Sequence, residues 1–352
     1  MPPMNVLVLA VGGNVGQGIL KALRHHPRPL HIIGADVFPL SMGLYTVEHA
    51  YISPWANDPA FVDWLITCCH DENITAILAG AEPVLMALAT HRERIESETG
   101  AQCICSSREV LELGDDKLKT CQWLEASDLP FPAYADAAND QAVATLLETV
   151  GYPLLAKPRR GGGSHGVFTI EKAIDLDYAR AKEDYLIQEF LGTDDEEYTV
   201  GCFRDRDGTL APSCCMRREL VSGTTYRAVL GDFPAVRREA EAIVQQLAPE
   251  GPCNVQLRLT KRGPVCFEIN PRFSGTTPIR SHFGYREVSA ALDNLVEGLP
   301  VALPLCTEGI ALRYWNELYV DPASAHTLES TGSLPEAHTG CKFIEDYGLP
   351  QK

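Results

Sequence analysis

The sequence predicts an α/β domain followed by an α+β domain. Three observations predict it. Over residues 5–110, apolar strand-like runs alternate with apolar-periodic helices, the pattern of a parallel sheet joined by crossover helices. From about 115 to 305, strand-like runs follow one another with few helices between them, as antiparallel neighbours do. Within that part, the run Val-Cys-Phe-Glu-Ile-Asn-Pro-Arg at 265–272 sets Glu268 and Asn270 two residues apart on a short strand, so both side chains share one face. These boundaries divide the chain into residues 1–112, 113–305 and a C-terminal segment, 306–352, expected to pack on the core.

In the first part, residues 6–10 read as a buried strand, followed by a glycine-rich turn and a helix over 18–25. Strands at 31–35, 51–53 and 76–79 and helices at 61–69 and 84–89 complete the series. In the second part, Lys117 opens a helix to 127, closed by Pro130 and Pro132. A strand over 152–157, a glycine-rich loop over 159–166 and strands at 167–170 and 185–190 follow. Then come strands at 198–203, 213–220, 254–259 and 264–269, with a helix at 236–247 laid on them. The tail has strand-like runs at 310–314 and 318–320, and no internal repeat occurs.

Composition narrows the function. A length of 352 residues with 45 % apolar and 22 % charged residues is that of a globular protein with a sizeable core. The net charge of −17 argues against nucleic acid or an anionic membrane as the main partner, since both would repel it. The chain enters a strand-like segment directly from its first residues and has no apolar run of membrane length, so a cytoplasmic protein is expected. The 12 cysteines include no CxxC pair and fall mostly in apolar runs, where they act as small buried hydrophobes.

Four groups of residues carry chemistry. Lys117 puts an ammonium at a helix start, where phosphate also binds well. Lys157 ends a strand before Gly161, Gly162, Gly163, Ser164, His165 and Gly166, whose backbone N–H groups and hydroxyl can approach phosphate oxygens closely. Glu189, Phe190 and Leu191 leave a strand edge with backbone groups suited to an adenine ring, and the acidic run 194–197 follows. Gln256 lies on a strand that would pair with the one carrying Glu268 and Asn270, giving one carboxylate and two amides as hard oxygen donors for Mg²⁺, with Arg272 beyond them.

In this order, the residues resemble the ATP-grasp superfamily over roughly 115–305. The resemblance implies an ATP-grasp fold behind a Rossmann-like domain. It implies that Lys117 and Lys157 bind ATP phosphates beneath a lid formed by Gly161–Gly166, including Gly162, Gly163 and Ser164. Glu189, Phe190 and Leu191 would hold adenine and Glu197 the ribose, with Glu196 competing for that role. Gln256, Glu268 and Asn270 would carry Mg²⁺, with Mn²⁺ as an alternative. Gln at the first metal position looks most like the large subunit of carbamoyl phosphate synthetase. Only one ATP-grasp copy and no glutaminase segment are present, so the closer resemblance is to stand-alone ligases of that type.

Such ligases activate a carboxylate as an acylphosphate and join it to an amine, here an amino-acid-like pair. Homodimers are common among them. Arg272 and Lys157 would be catalytic. Arg218, Arg280 and Ser274 are expected to hold the anionic substrate, with Glu82 at the end of a first-domain strand, where ligands bind in open α/β sheets. Activation of bicarbonate is an alternative at the same site. A second alternative is an NAD-dependent oxidoreductase using the glycines at 12–18 and Asp36, although the strict GxGxxG spacing is missing.

Overall fold

The computed structural model describes residues 3–192 and 196–343. The first domain holds β1 (Met4–Leu9), α1 (Asn14–Leu23), β2 (Leu30–Asp36), β3 (His49–Ile52), α2 (Phe61–Asp71), β4 (Ala76–Ala79), α3 (Glu82–Thr99) and β5 (Gln102–Cys103). These five strands are parallel, and three of the four connections between them pass through an α-helix, as βαβ units require. Both faces of β1 and β4 are buried under helices, which is why their sequences are continuous apolar runs.

Two helices, α4 (Arg108–Asp115) and α5 (Lys117–Ala126), lead into a small subdomain. It comprises β6 (Tyr134–Asp136), α6 (Asp140–Val150), β7 (Leu154–Pro158), β8 (Phe168–Ile170), α7 (Ala173–Arg180) and β9 (Tyr185–Glu189), in antiparallel order β6-β9-β7-β8. The second large sheet follows: β10 (Glu197–Arg204), β11 (Cys214–Val221), β12 (Thr224–Leu230), α8 (Pro234–Leu247), β13 (Gly251–Thr260) and β14 (Gly263–Asn270). After α9 (Thr277–His282) and α10 (Glu287–Ala291), β15 (Gly309–Leu312) pairs with β12 and ends the order β14-β13-β10-β11-β12-β15. The tail contains β16 (Leu318–Val320), α11 (Pro322–Thr331), β17 (Ser333–Pro335) and β18 (Cys341–Phe343). It does more than lie on the core: β17 joins the first sheet, antiparallel to β3.

The cores decide what can move. One apolar cluster runs from Val6, Val8 and Leu78 through Ile19 and Val288 to Phe203, Met216 and Ala228 beneath the second sheet. The first domain and the second sheet therefore share one interior and hold a fixed geometry. The small subdomain has its own core of Val143, Leu154, Ile170 and Ile187, and meets α5 through a small apolar cluster of Leu118, Cys121 and Leu186 beside the Arg159–Asp116 ion pair and the Tyr134–Glu125 hydrogen bond. A body tied by so small a contact is the natural moving part.

Several elements depart from the sequence expectation. Helix α1 begins at Asn14, not 18, and takes Gly16 and Gly18 into its first turns; a Cβ at Gly16 would overlap the Ala10 carbonyl oxygen. Helix α3 runs to Gly100, which caps it at φ 76°. Its second half is charged and mostly exposed, so apolar periodicity fades after Leu88 although the helix continues. Helices α6 and α7 and strand β6 were not foreseen. The cysteines are free thiols, and all but Cys341 are buried. Among the described residues, no helix is long and apolar enough to cross a membrane.

Candidate active site

A cavity of about 700 Å³ opens between the two large sheets and the small subdomain. Its first-domain wall comes from the loops after β1 and β4, which lead to helices on opposite faces of the sheet. This is the switch point where open α/β sheets bind ligands. Asn14, Val15, Gly80 and Glu82 line it there.

The floor is the β13–β14 hairpin. Its register sets Gln256 opposite Glu268 and Asn254 opposite Asn270, with an irregularity after Gln256. Glu268 Oε1 accepts from Gln256 Nε2 at 3.2 Å and from Asn270 Nδ2 at 2.8 Å. The amide oxygens turn outward: Gln256 Oε1 accepts from Arg218 at 2.6 Å and Asn270 Oδ1 from Arg272 at 2.9 Å. Each amide carries an oxygen, so together with the Glu268 carboxylate the set can offer oxygen ligands from three side chains. Among the described residues, no three His, Cys, Asp or Glu side chains form a metal cage. A set with a single carboxylate suits a hard divalent ion that takes its remaining ligands from phosphates and water. The residues therefore fit Mg²⁺.

Lys117 is the first residue of α5, whose N-cap Asp116 accepts from the backbone N–H of Leu118 and Lys119. Its ammonium donates to the Gly161 carbonyl at 2.6 Å. Lys157 is only 5 % exposed, and among the described residues it has no acidic hydrogen-bond or ion-pair partner. It lies 5.4 Å from the Phe267 ring centroid. Burial pushes its pKa down to about 8, against the charges of Cys121 and Glu268, which act to raise it.

The loop at 161–166 covers the cavity in a left-handed backbone, with φ values of 93° at Gly161, 67° at Gly163, 56° at Ser164 and 72° at Gly166. Its Gly163 carbonyl rests on Gly223 in the β11–β12 turn, where φ is 71° and a Cβ would overlap that oxygen. The small subdomain thus touches the second sheet across the cavity mouth.

Phe190 and Leu191 line the cavity at the end of β9. The Glu189 carboxylate is engaged elsewhere, accepting from Ala133 N at 3.1 Å and from Arg262 at 2.8 and 2.7 Å. Its backbone N–H also donates to the Ala133 carbonyl at 2.8 Å, so the strand end offers a ring the backbone of Phe190 and Leu191 rather than the Glu189 side chain. Glu197 is buried with both oxygens held, Oε1 by Arg218 at 2.7 Å and Oε2 by Arg258 at 2.6 Å. Glu196 is exposed, and Asp194 and Asp195 lie outside the described residues.

Arg272 donates to Phe273 O at 2.8 Å and forms an ion pair with Glu82 at the start of α3. Burial acts to raise the Glu82 pKa, but the Arg272 charge and hydrogen bond outweigh it and hold the carboxyl below its ordinary value. In the first domain, Gly12 N donates to Asp36 Oδ2 at 2.7 Å, while Oδ1 accepts from Phe38 N and Ser41 Oγ. The Asp36 carboxylate is spent on its own turn, which removes the acid an NAD ribose would need.

Residues 181–317 match the family described as ATP-grasp in the biosynthetic pathway with Ter operon, and residues 6–104 match the PylC-like N-terminal domain. The chain carries an ATP-grasp domain behind a PylC-like N-terminal domain. The carbamoyl phosphate synthase arginine-specific large chain of Lactiplantibacillus plantarum is 21 % identical over 297 residues, 78 % of this chain. The chain spans only 28 % of that relative's length. N5-carboxyaminoimidazole ribonucleotide synthetase from Thermus thermophilus superposes with a TM-score of 0.70 at 18 % identity, covering 92 % of this chain and 87 % of that one. L-amino acid ligase from Bacillus licheniformis gives 0.64 at 18 % identity, covering 84 % and 74 %. At these identities the structural likeness speaks to the fold alone.

On this ATP-grasp framework, one expected substrate residue stands apart. Arg280 is 1 % exposed and does not line the cavity. It pairs with buried Glu287 at 2.5 Å and donates to Ser274 Oγ and Thr276 Oγ1, so it braces the 274–277 turn from below. Its guanidinium belongs to the interior. Ser274, Arg218 and Glu82 do line the cavity. Lining residues not singled out as site residues from the sequence include Asn254, Arg258 and Arg313. Arg258 and Asn254 flank Gln256 at two-residue spacing on the same strand face, a signal the period of 2 could have supplied. Arg313 sits just past β15 with no local motif.

Proposed function

We propose that this ATP-grasp protein is an ATP-dependent ligase of the stand-alone carbamoyl-phosphate-synthetase-like kind. It would activate a carboxylate as an acylphosphate and couple it to an amine, releasing ADP and phosphate. One observation carries the reading. Lys157, a buried cation without an acidic partner among the described residues, shares one cavity with Lys117, the glycine loop and the Gln256–Glu268–Asn270 set. Charge arranged so, beside a single carboxylate, calls for polyphosphate and a divalent ion.

In this reading Lys117 and Lys157 hold the phosphates and the backbone of Phe190 and Leu191 holds the adenine. Gln256, Glu268 and Asn270 would hold Mg²⁺, which neutralises charge between phosphate oxygens when bound. The substrate carboxylate oxygen attacks the γ-phosphorus as its bond to the ADP oxygen breaks. Arg272, steadied by Glu82 and Asn270, faces the transferred group and then the oxyanion formed when the amine nitrogen attacks the acyl carbon. Phosphate leaves as the amide forms. The 161–166 loop excludes water, which would otherwise hydrolyse the acylphosphate. Catalysis is positioning and charge stabilisation, as in phosphoryl transfer generally. The domains would follow these roles, with residues 1–112 and the second sheet fixed and the small subdomain as lid. A cytoplasmic site, small-molecule partners and a homodimer complete the proposal.

The test is ADP release from Mg-ATP across carboxylates and bicarbonate, alone and with amines, with hydroxylamine trapping the acylphosphate as a hydroxamate. Hydroxamate and amine-dependent product are expected. Release with bicarbonate alone would move the reading to a carboxylase. Silence in every pool together with no binding of ATP would overturn it.

A further inference from the structure

Arg313 is the unexplained charge in the cavity. It is half-buried on the wall where the first domain meets the 274–277 turn. One nitrogen donates to Asn14 Oδ1 at 3.4 Å and another to the Gly275 carbonyl. Both acceptors are neutral, and among the described residues Arg313 forms no ion pair. The acids lining the cavity are committed: Glu82 to Arg272, Glu189 to Arg262, Glu197 to Arg218 and Arg258, and Glu268 to its two amides.

A guanidinium has five N–H donors in a planar fork, and two are used here. The others belong to a group that cannot shed its proton. Burial, then the nearby Arg218 charge, pushes its pKa below the ordinary arginine value, and burial followed by the Arg313 charge lowers that of Lys21. A brace between α1 and the turn would need only the two neutral bonds. It would not need a permanent cation near Arg218 on a cavity wall.

We propose that the substrate entering the first-domain end carries an anionic group besides the carboxylate that reacts, and that Arg313 clamps this second anion. The ligand class is a small acid with a second carboxylate or a phosphate. Arg313 is then a specificity-determining residue, distinct from the groups around Lys157 and Glu268 that meet ATP. The inference names the substrate class of the ligase site and rests on that reading for its chemistry, while the binding it describes can be measured separately.

The experiment uses the full chain loaded with MgADP. Glutarate and 3-phosphoglycerate are titrated calorimetrically beside analogues lacking the second anion, glutaramate and glycerate, against wild type, Arg313→Met and Arg313→Lys. At least one charged acid should bind about tenfold or more tighter than its analogue. That ratio should fall to about 2 or less in Arg313→Met and recover in part in Arg313→Lys, with the charged arm that responds distinguishing carboxylate from phosphate. No discrimination in wild type, or equal loss of both members of a pair in Arg313→Met, overturns the clamp. Should Arg313→Met not fold, phenylglyoxal modification of Arg313 in wild type, read by mass spectrometry, decides instead: the charged acid must slow it and the analogue must not. ADP release from MgATP is followed separately with the same acids and a pool of amines. Arg313-dependent binding of the acid with no ATP binding and no turnover would fail the ligase reading and keep the clamp, whereas turnover indifferent to Arg313 would do the reverse.

Discussion

Replacing Lys157 with Met should stabilise the nucleotide-free protein while abolishing ATP binding. The fall of the Lys157 pKa from 10.5 to about 8, set first by burial and partly offset by Cys121 and Glu268, corresponds to about 3 kcal/mol against the ammonium in the folded chain. The Phe267 ring 5.4 Å away returns about 1 kcal/mol of cation–π attraction. Met keeps the length and apolar contacts of the stem, so about 2 kcal/mol should be gained, a rise of a few °C in the unfolding midpoint. The sign fixes a pH window. Between about pH 8 and 10.5 the unfolded chain holds a proton on this lysine that the folded chain has lost, so wild-type stability gains from rising pH there. The Met variant's advantage is therefore full below about pH 8 and gone by about 10.5. Thermal unfolding of both proteins at pH 7 and pH 10, each with and without MgATP, is the assay. A variant no more stable than wild type at pH 7 would refute the reasoning, because the charge would then be satisfied within the free chain.

Three further outcomes follow from the same geometry. Glu268→Gln keeps an acceptor but removes the only carboxylate of the metal set, so substrate-dependent ADP release should fall about 100-fold or more with little change in unfolding midpoint. Gly223→Ala puts a methyl against the Gly163 carbonyl, so nucleotide should cease to protect the Arg159–Arg160 stretch from trypsin, and ADP release should outrun amide formation. Arg280→Met strands the buried Glu287 carboxylate and should cost about 3–5 kcal/mol in denaturant unfolding, whereas Arg280→Met with Glu287→Gln should recover part of it.

What the sequence disclosed depended on how local the cause was. Strands β1 and β4 are legible because burial on both faces leaves unbroken apolar runs. The β13–β14 pair is legible because polar residues interrupt such a run at a spacing of 2. Helix α6 was overlooked although Asn139 caps it, because only Val143 and Leu146 are buried and the apolar stripe is thin. Arg280 looked like a substrate ligand because a buried partner at Glu287 can be seen only once α9 and α10 are folded against the second sheet. The commitment of Glu197 is likewise invisible in the chain, since Arg218 and Arg258 reach it from strands on either side of β10.

That commitment explains why an amide at 256 is consistent with one carboxylate in the metal set. Lys117, Lys157, Arg218, Arg258, Arg272 and Arg313 line the cavity. Glu197 holds two of these arginines and Glu82 a third, so Lys117, Lys157 and Arg313 are left to meet ligand charge. A carboxylate at 256 would stand where Gln256 now donates to Glu268 at 3.2 Å and accepts from Arg218 at 2.6 Å. It would repel Glu268 in the free chain and compete with Glu197 for Arg218. The amide bonds to both neighbours at once, donating to the acid and accepting from the base. In the free chain it therefore keeps both hydrogen bonds and leaves Glu268 as the one carboxylate of the set.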